Sequence, residues 1–96
     1  MADNLRAMKV LKFGAVWCTG CIVMKPIWAE IEEEIPELKA EYFDYDENPE
    51  EIKKWDIGDE IPVFIFLDKE GKEFNRVVGQ RSKEELVKFV KENLQK

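Results

Sequence analysis

Residues 10–21 have the sequence VLKFGAVWCTGC, in which an apolar, β-type run leads directly into the two cysteines of the chain. Cysteines separated by two residues favour a redox couple, because one sulfur can attack a substrate disulfide while the other resolves the mixed disulfide. Where a helix begins at Cys18, its unpaired first-turn N–H groups and its dipole favour a thiolate. Cys18 is therefore the predicted nucleophile. Cys21, one turn deeper, is the predicted buried resolving thiol.

Three other uses of the cysteine pair compete with this interpretation. A structural disulfide usually closes a longer loop, since a bridge across two residues constrains the unfolded chain little. Zinc or an iron–sulfur cluster needs about four ligands, and the chain has no His and no third Cys. Metal binding is therefore not expected within one chain, although a site shared by two chains stays open. An inert buried pair also stays open, but Thr19 and Gly20 suit a turn better than a core.

Length and charge narrow the class of protein. A chain of 96 residues is long enough for one hydrophobic core and too short for two, which predicts a single domain over residues 1–96. A net charge of -6 is repelled by nucleic acid and by anionic membrane, so we expect neither as a partner.

The expected localisation is cytoplasmic. No apolar run approaches the ~20 residues of a membrane span, and residues 1–4, MADN, lack the basic flank and apolar stretch of a signal peptide. Reducing conditions in the cytosol disfavour structural disulfides and suit a catalytic C-x-x-C pair. Removal of a signal segment from a longer precursor stays open.

Hydrophobic periodicity predicts the first strand and the first helix. Residues 9–16 are β-rich and nearly continuously apolar, as a central strand covered on both faces would be. Residues 18–35 follow as a helix that Pro26 kinks without ending it. The predicted buried stripe of this helix is Ile27, Ile31 and Ile35, and its predicted solvated face is Glu30, Glu32, Glu33 and Glu34.

The remaining elements complete an alternating α/β pattern. Residues 40–45, 62–67 and 73–78 are predicted strands, and a short helix is expected from Pro49 to about residue 55. Ser82 and Glu85 form a capping box that begins the last helix. Right-handed crossovers make the first two strands parallel, and the closing hairpin adds an antiparallel edge, which predicts a mixed four-stranded sheet.

Over residues from about 10 to 94, the chain resembles the thioredoxin family. Trp17, Cys18 and Cys21 resemble its W-C-x-x-C site, and Pro26 stands where the family has its helix-kinking proline. Ile61–Pro62 resembles the family's cis-proline step, and Gly79 stands where it has a glycine beside the substrate groove.

The resemblance implies a thioredoxin-like α/β fold, N-terminally shortened, with helices flanking the sheet. It implies a monomeric thiol–disulfide oxidoreductase that needs no cofactor beyond a redox-active Cys18–Cys21 disulfide. The expected partners are disulfide-containing protein substrates and an electron donor of the thioredoxin-reductase type.

Each residue carried over from the family has a physical role and a simpler alternative. A cis bond before Pro62 would bend the backbone toward the cysteines, whereas an ordinary trans proline would only open a strand. The backbone of Ile61 would then hydrogen-bond an extended substrate segment as an added strand. Trp17 is expected to be partly exposed over the site, with a core aromatic as the alternative, and Gly79 could simply end a strand.

The chain departs from the family pattern at three places. Thr19-Gly20 replaces the usual Gly-Pro between the cysteines, and fewer residues precede the site, which would leave a sheet edge more open. Six residues before the first cysteine, where the family has a buried acid, this chain has Lys12. Its ammonium either snorkels to solvent or pairs, partly buried, with Asp44 or the Tyr42 hydroxyl. In the second case Lys12 would tune the thiol pKa or transfer a proton to or from Cys21.

Two rival functions remain. A glutaredoxin-like oxidoreductase usually has Thr or Val before the cis-proline and a later Gly-Gly with an acid, where this chain has Ile61 and Val78-Gly79-Gln80. A non-catalytic binding or assembly module would keep the fold and use the cysteines for recognition or a shared metal.

Overall fold

The computed structural model describes residues 8–94 and shows alternating strands and helices. The elements, in chain order, are β1 (Met8–Gly14), α1 (Thr19–Glu34), β2 (Leu38–Asp44), α2 (Pro49–Lys54), β3 (Val63–Leu67), β4 (Glu73–Val78) and α3 (Lys83–Leu94). The expectation of a shortened N-terminus concerns residues 1–7, which lie outside the described residues. Within residues 8–94, no helix is both long and apolar enough to cross a membrane.

The four strands of the described chain form one mixed sheet in the order β2-β1-β3-β4. Strand β1 runs parallel to β2, while β3 is antiparallel to both β1 and β4. The predicted topology is therefore confirmed, and β1 is the interior strand that its apolar sequence indicated.

Side chains of β1 alternate between two hydrophobic clusters, one on each face of the sheet. Val10 is fully buried and packs in the cluster that α1 and α3 form on one face. Leu11 and Phe13 pack on the opposite face, against which Ile52 of α2 lies. The sheet is thus flanked by helices on both sides, which explains why β1 and β3 are apolar almost throughout.

Helix α1 packs against the sheet along one apolar stripe. Its buried residues are Cys21, Met24, Trp28 and Ile31. The predicted stripe is correct for Ile31 and Ile35, but Ile27 is only half-buried. The stripe follows the 3.6-residue period through Met24 and Trp28 rather than a strict four-residue repeat. Pro26 lies inside the helix, on its exposed side.

Local hydrogen bonds fix the hairpin and the start of α3. The Ser82 hydroxyl accepts from the Glu85 N–H at 3.1 Å, and the Glu85 carboxylate accepts from the Ser82 N–H at 3.3 Å, as the predicted capping box requires. In the β3–β4 hairpin, Asp68 accepts from the N–H groups of Lys72 and Glu70. Gly71 has a φ of 84°, a conformation that suits glycine.

These hairpin hydrogen bonds predict an acid-sensitive contribution to stability. The Lys72 N–H first, and the Glu70 N–H in addition, hold the pKa of Asp68 below its ordinary value of 3.8. A carboxyl whose pKa is lower in the folded state stabilises the fold above the unfolded pKa, and this stabilisation is lost as pH falls through the folded pKa. We therefore expect Asp68→Asn to unfold at lower urea than the wild type near neutral pH, with the difference shrinking below about pH 4. Urea midpoints measured against pH test this, with exposed Asp59→Asn as the charge-matched control. A difference that does not change with pH would contradict it.

Candidate active site

Cys18 occupies the N-cap of α1, at the junction with β1. Its N–H donates to the Ala15 carbonyl at 3.2 Å, which turns the chain out of the strand. The Cys21 N–H donates to the Cys18 Sγ at 3.2 Å, so the sulfur itself caps the helix. The positive end of the helix dipole and this donor both stabilise negative charge on the Cys18 sulfur.

The two cysteines form a disulfide, with their Cα atoms 5.2 Å apart. Both residues are buried, with 8% of Cys18 and 9% of Cys21 exposed, so burial does not distinguish them in the disulfide form. The two sulfurs differ instead in the residues that surround them. A Cβ on Gly14 would lie only 3.0 Å from the Cys21 Sγ, so the glycine is needed for the close approach of strand and helix behind this sulfur.

The loop before β3 lies beside Cys18. The Ile61–Pro62 peptide bond is cis, as the resemblance implied. The Ile61 carbonyl oxygen lies 3.7 Å from the Cys18 Sγ. The Gly79 N–H donates to the Pro62 carbonyl at 2.8 Å, and Gly79 has a φ of 94°, which favours glycine. The structure therefore brings three predicted substrate-binding residues to one side of Cys18.

Trp17 lies on the other side of the cysteines and is 59% exposed, which excludes the core alternative. Its indole N–H donates to the Asp46 carboxylate at 2.7 Å, and its ring meets Tyr45 edge-on at 6.1 Å. The sequence did not single out Asp46 as a site residue. The parallel pairing of β1 and β2 was the available signal, because it brings the ends of both strands, and the residues after them, to one edge.

Gln80 is a second residue that the sequence did not single out. A Cβ on Gly20 would lie 3.1 Å from the Gln80 Nε2 and 3.3 Å from the Pro62 Cδ. The Gln80 side chain therefore occupies space that a larger residue at position 20 would take. The departure from Gly-Pro between the cysteines is thus matched by a side chain packed over Gly20.

Lys12 is partly buried, but its predicted partners are wrong. The ammonium pairs with the Glu32 carboxylate of α1 at 2.6 Å and lies 5.9 Å from the centre of the Trp28 ring. It pairs with neither Asp44 nor Tyr42. The Asp44 carboxylate instead accepts from two backbone N–H groups of the following turn, and α1 covers the face to which Lys12 points. Glu32 is consequently not simply part of a solvated face.

A cavity lies behind Cys21, between α1 and the sheet, and we refer to it as the Cys21 cavity. Its lining residues are Lys12, Phe13, Gly14, Cys21, Met24, Lys25, Trp28, Tyr42, Pro62 and Phe64. Partial burial, with a smaller contribution from the Asp44 carboxylate, raises the pKa of Tyr42 above its ordinary value of 10.0. Over residues 8–94, no group of three or more His, Cys, Asp or Glu side chains is arranged to hold a metal ion.

Comparisons with known proteins agree with this geometry. A family model described as thioredoxin matches residues 3–92. Thioredoxin H5 of Oryza sativa subsp. japonica is 36% identical over 80 residues, which are 83% of this chain and 58% of the rice protein. Thioredoxin of Chlamydia trachomatis serovar D is 32% identical over 90 residues, which are 93% of this chain and 86% of that protein.

Solved structures give the same result for the fold. The X-ray structure of Fasciola hepatica thioredoxin superposes with a TM-score of 0.83 at 28% identity, covering 96% of this chain and 86% of that one. The chain covers only 58%, 62% and 61% of three plant relatives, from Oryza sativa, Picea mariana and Nicotiana tabacum. The family model nevertheless spans almost the whole chain, and the chain belongs to the thioredoxin family.

Proposed function

We propose that the protein is a thiol–disulfide oxidoreductase that reduces or exchanges disulfide bonds of protein substrates through Cys18 and Cys21. The observation that carries this proposal is the disulfide-bonded pair whose first sulfur caps α1 beside the Ile61–Pro62 loop. A sulfur in this position is held as a nucleophile, and its partner is close enough to displace whatever binds to it. Family membership supports the same activity.

The proposed reaction has two exchange steps. In the reduced protein, the Cys18 thiolate attacks one sulfur of a substrate disulfide, forming a mixed disulfide and releasing the other substrate sulfur as a thiolate that takes up a proton. Cys21 then loses its proton and attacks the Cys18 sulfur. The bond between Cys18 and the substrate breaks, its electron pair leaves with the substrate sulfur, and the Cys18–Cys21 disulfide forms. The protein is oxidised by two electrons, and the substrate disulfide is reduced by two.

The substrate is proposed to bind across Trp17, Ile61, Pro62 and Gly79. The exposed indole of Trp17 supplies an apolar contact on one side of Cys18. The backbone of Ile61 lies on the other side and is suited to hydrogen-bond an extended segment as an added strand. The Gly79 N–H is already bonded to the Pro62 carbonyl, so its proposed role is to let the substrate approach closely.

The oxidised protein must be recharged for a further cycle. We propose an electron donor of the thioredoxin-reductase type, with no cofactor bound by this chain beyond its own disulfide. We also propose that the protein acts as a monomer in the cytoplasm, where the surrounding thiol pool keeps a catalytic dithiol reduced.

The direct test of this function is the reduction of insulin by dithiothreitol. We expect the protein to accelerate the precipitation of insulin chains, and Cys18→Ser to reduce the rate to that of dithiothreitol alone, because the attacking sulfur is missing. Lys9→Met, a substitution in an exposed ion pair far from the cysteines along β1, is the control and should retain full activity. If the wild type gives no acceleration, the chain is instead a non-catalytic binding module. If it acts only on glutathione mixed disulfides, a glutaredoxin-like activity replaces the proposed one.

The two sulfurs of the reduced protein should differ in reactivity. Cys18 should ionise below the free-thiol pKa of about 8.5, because it accepts the Cys21 N–H at the helix end, whereas within residues 8–94 no N–H group donates to the Cys21 sulfur. Brief treatment with iodoacetamide near neutral pH, followed by peptide mass spectrometry, should show alkylation predominantly on Cys18. Preferential labelling of Cys21 would reverse the assigned roles.

A further inference from the structure

Tyr45 lies beside the cysteines at the end of β2. Its N–H donates to the Gly14 carbonyl at 2.6 Å, which fixes its backbone against the end of β1. Its side chain is half-buried and packs against the buried cluster that contains both sulfurs. Ile61 is also partly buried and packs against the same cluster. Tyr45 and the loop that carries Ile61 therefore border one group of side chains.

The ring and the hydroxyl of Tyr45 contact the two sides of the site. The ring meets the Trp17 indole edge-on, with the ring centres 6.1 Å apart. The hydroxyl donates to the Gly58 carbonyl at 3.2 Å. Gly58 lies three residues before Ile61, in the loop that leads into Pro62. One side chain thus joins the Trp17 side of the site to the loop side.

The loop has few other attachments after Ile57. Its start is held well, because the Arg76 guanidinium donates to the Trp55 carbonyl at 3.0 Å and the buried Ile57 donates its N–H to a carbonyl of α2. From residue 58 to residue 60, the bond from Tyr45 is the only hydrogen bond to the backbone within the described chain. These three residues are exposed, so burial does not fix them. The Tyr45 hydroxyl is consequently the anchor of this part of the loop.

An anchored loop favours the binding of an extended substrate segment. In the proposed function, the backbone of Ile61 pairs with the substrate as an added strand. A backbone that is ordered before binding saves the conformational entropy that ordering it would otherwise cost. The contact between Tyr45 and Trp17 restrains the opposite side in the same way. A residue that restrains both sides also fixes the width of the groove between them.

We propose that Tyr45 is a positioning residue that holds Trp17 and residues 58–61 in a fixed relation and thereby favours protein disulfides over small ones. This rests on the proposed function, because it concerns how that substrate is bound. Tyr45 exchanges no bond with the substrate, and its hydroxyl takes no part in the attack by Cys18. Loss of the hydroxyl therefore weakens the binding of a protein disulfide and leaves the reactivity of the thiolate unchanged.

Two substitutions separate the hydroxyl of Tyr45 from its ring. Tyr45→Phe removes only the bond to Gly58 and keeps the ring against Trp17. We expect it to raise the KM for insulin about threefold, as the loss of one hydrogen bond allows, with kcat unchanged. Tyr45→Leu also removes the aromatic contact with Trp17 and should raise this KM about tenfold.

Three measurements on each purified full-length variant test these expectations. Initial rates of insulin reduction against insulin concentration, with dithiothreitol as electron donor, give KM and kcat. The rate at which the reduced protein reacts with dithionitrobenzoate, a disulfide too small to bind as an added strand, reports the reactivity of Cys18 and should not change. Backbone order parameters of residues 58–61 from nitrogen relaxation should fall in both variants.

Asn93→Ala is the control for the loss of one hydrogen bond from a side chain to a backbone carbonyl. The Asn93 amide donates to the Phe89 carbonyl at 2.7 Å within α3, outside the candidate active site. This variant should match the wild type in all three measurements. Urea midpoints show that the compared proteins are folded, and Tyr45→Phe, which keeps the ring, serves where Tyr45→Leu is too unstable to compare.

The outcomes distinguish the role of Tyr45 from the function itself. An unchanged KM in Tyr45→Phe would overturn the proposal, even where the order parameters of the loop fall. An equal loss of rate with dithionitrobenzoate would also overturn it, because the hydroxyl would then act on the sulfur chemistry. A wild type that does not reduce insulin would instead overturn the proposed function. Unchanged order parameters of residues 58–61 in Tyr45→Phe would overturn the positioning role in either case.

Discussion

Cys21→Ser should reduce turnover of insulin to the uncatalysed rate while leaving Cys18 bound to its substrate. Cys18 keeps its place at the N-cap of α1, so the first exchange step still occurs. Serine cannot displace the substrate sulfur, because its hydroxyl is a far poorer nucleophile toward a disulfide than a thiolate is. The mixed disulfide therefore accumulates instead of resolving. Non-reducing electrophoresis of the variant with an oxidised protein substrate should show a new covalent species that dithiothreitol removes.

The double variant Cys18→Ser/Cys21→Ser is the control for this experiment, and it should form no covalent species. Formation of the species by Cys18→Ser alone, at a rate similar to that of Cys21→Ser, would contradict the division of roles between the two sulfurs.

The largest expected effect on stability is that of Phe66→Ala. Phe66 lies on β3, has no exposed surface and packs against Trp28 and Phe89, with ring centres 6.3 Å and 4.8 Å away. Removing a fully buried phenyl ring loses its transfer free energy and leaves a cavity, which costs about 3–5 kcal/mol in the free energy of unfolding. Because native proteins are stable by only about 5–15 kcal/mol, this variant should lose a large share of its stability and unfold at much lower urea than the wild type.

Phe74→Ala is the matched control within the same aromatic cluster. Phe74 contacts the Phe66 and Phe89 rings from β4 but is 41% exposed. Its removal should cost about 1 kcal/mol, since water can fill the space. Urea unfolding followed by circular dichroism measures both. Equal losses in the two variants would show that Phe66 does not lie at the centre of the core.

The elements of this fold were predictable because their sequence signals are local. The interior strand β1 is a continuous apolar run, and the start of α1 is marked by the C-x-x-C segment. The end of β1 was predicted two residues too late, because Ala15 and Val16 continue the apolar pattern. Val16 is 79% exposed in a turn that the sequence does not mark. The chain leaves the strand there because Cys18 must reach the helix N-cap, where its N–H bonds to the Ala15 carbonyl.

The site was predictable only in the parts that adjoin in sequence or stand at family positions. Alternation along β1 correctly placed Lys12 on the α1 face, but it could not show which helical side chain lies over that face. The sequence does not distinguish the partner, Glu32, from the other glutamates of α1. Only the packing of the helix on the sheet does so. The contacts of Asp46 with Trp17 and of Gln80 with Gly20 likewise join segments that are distant along the chain.

The hydrogen bond from the Cys21 N–H to the Cys18 Sγ couples the redox state of the protein to the order of its backbone. A thiolate is a charged acceptor, and hydrogen bonds to charged groups are roughly twice as strong as those between neutral ones. The first turn of α1 is therefore capped more firmly in the reduced protein than in the oxidised one. Protection of the Cys21 amide from hydrogen exchange with solvent should therefore be higher in the reduced protein than in the oxidised one.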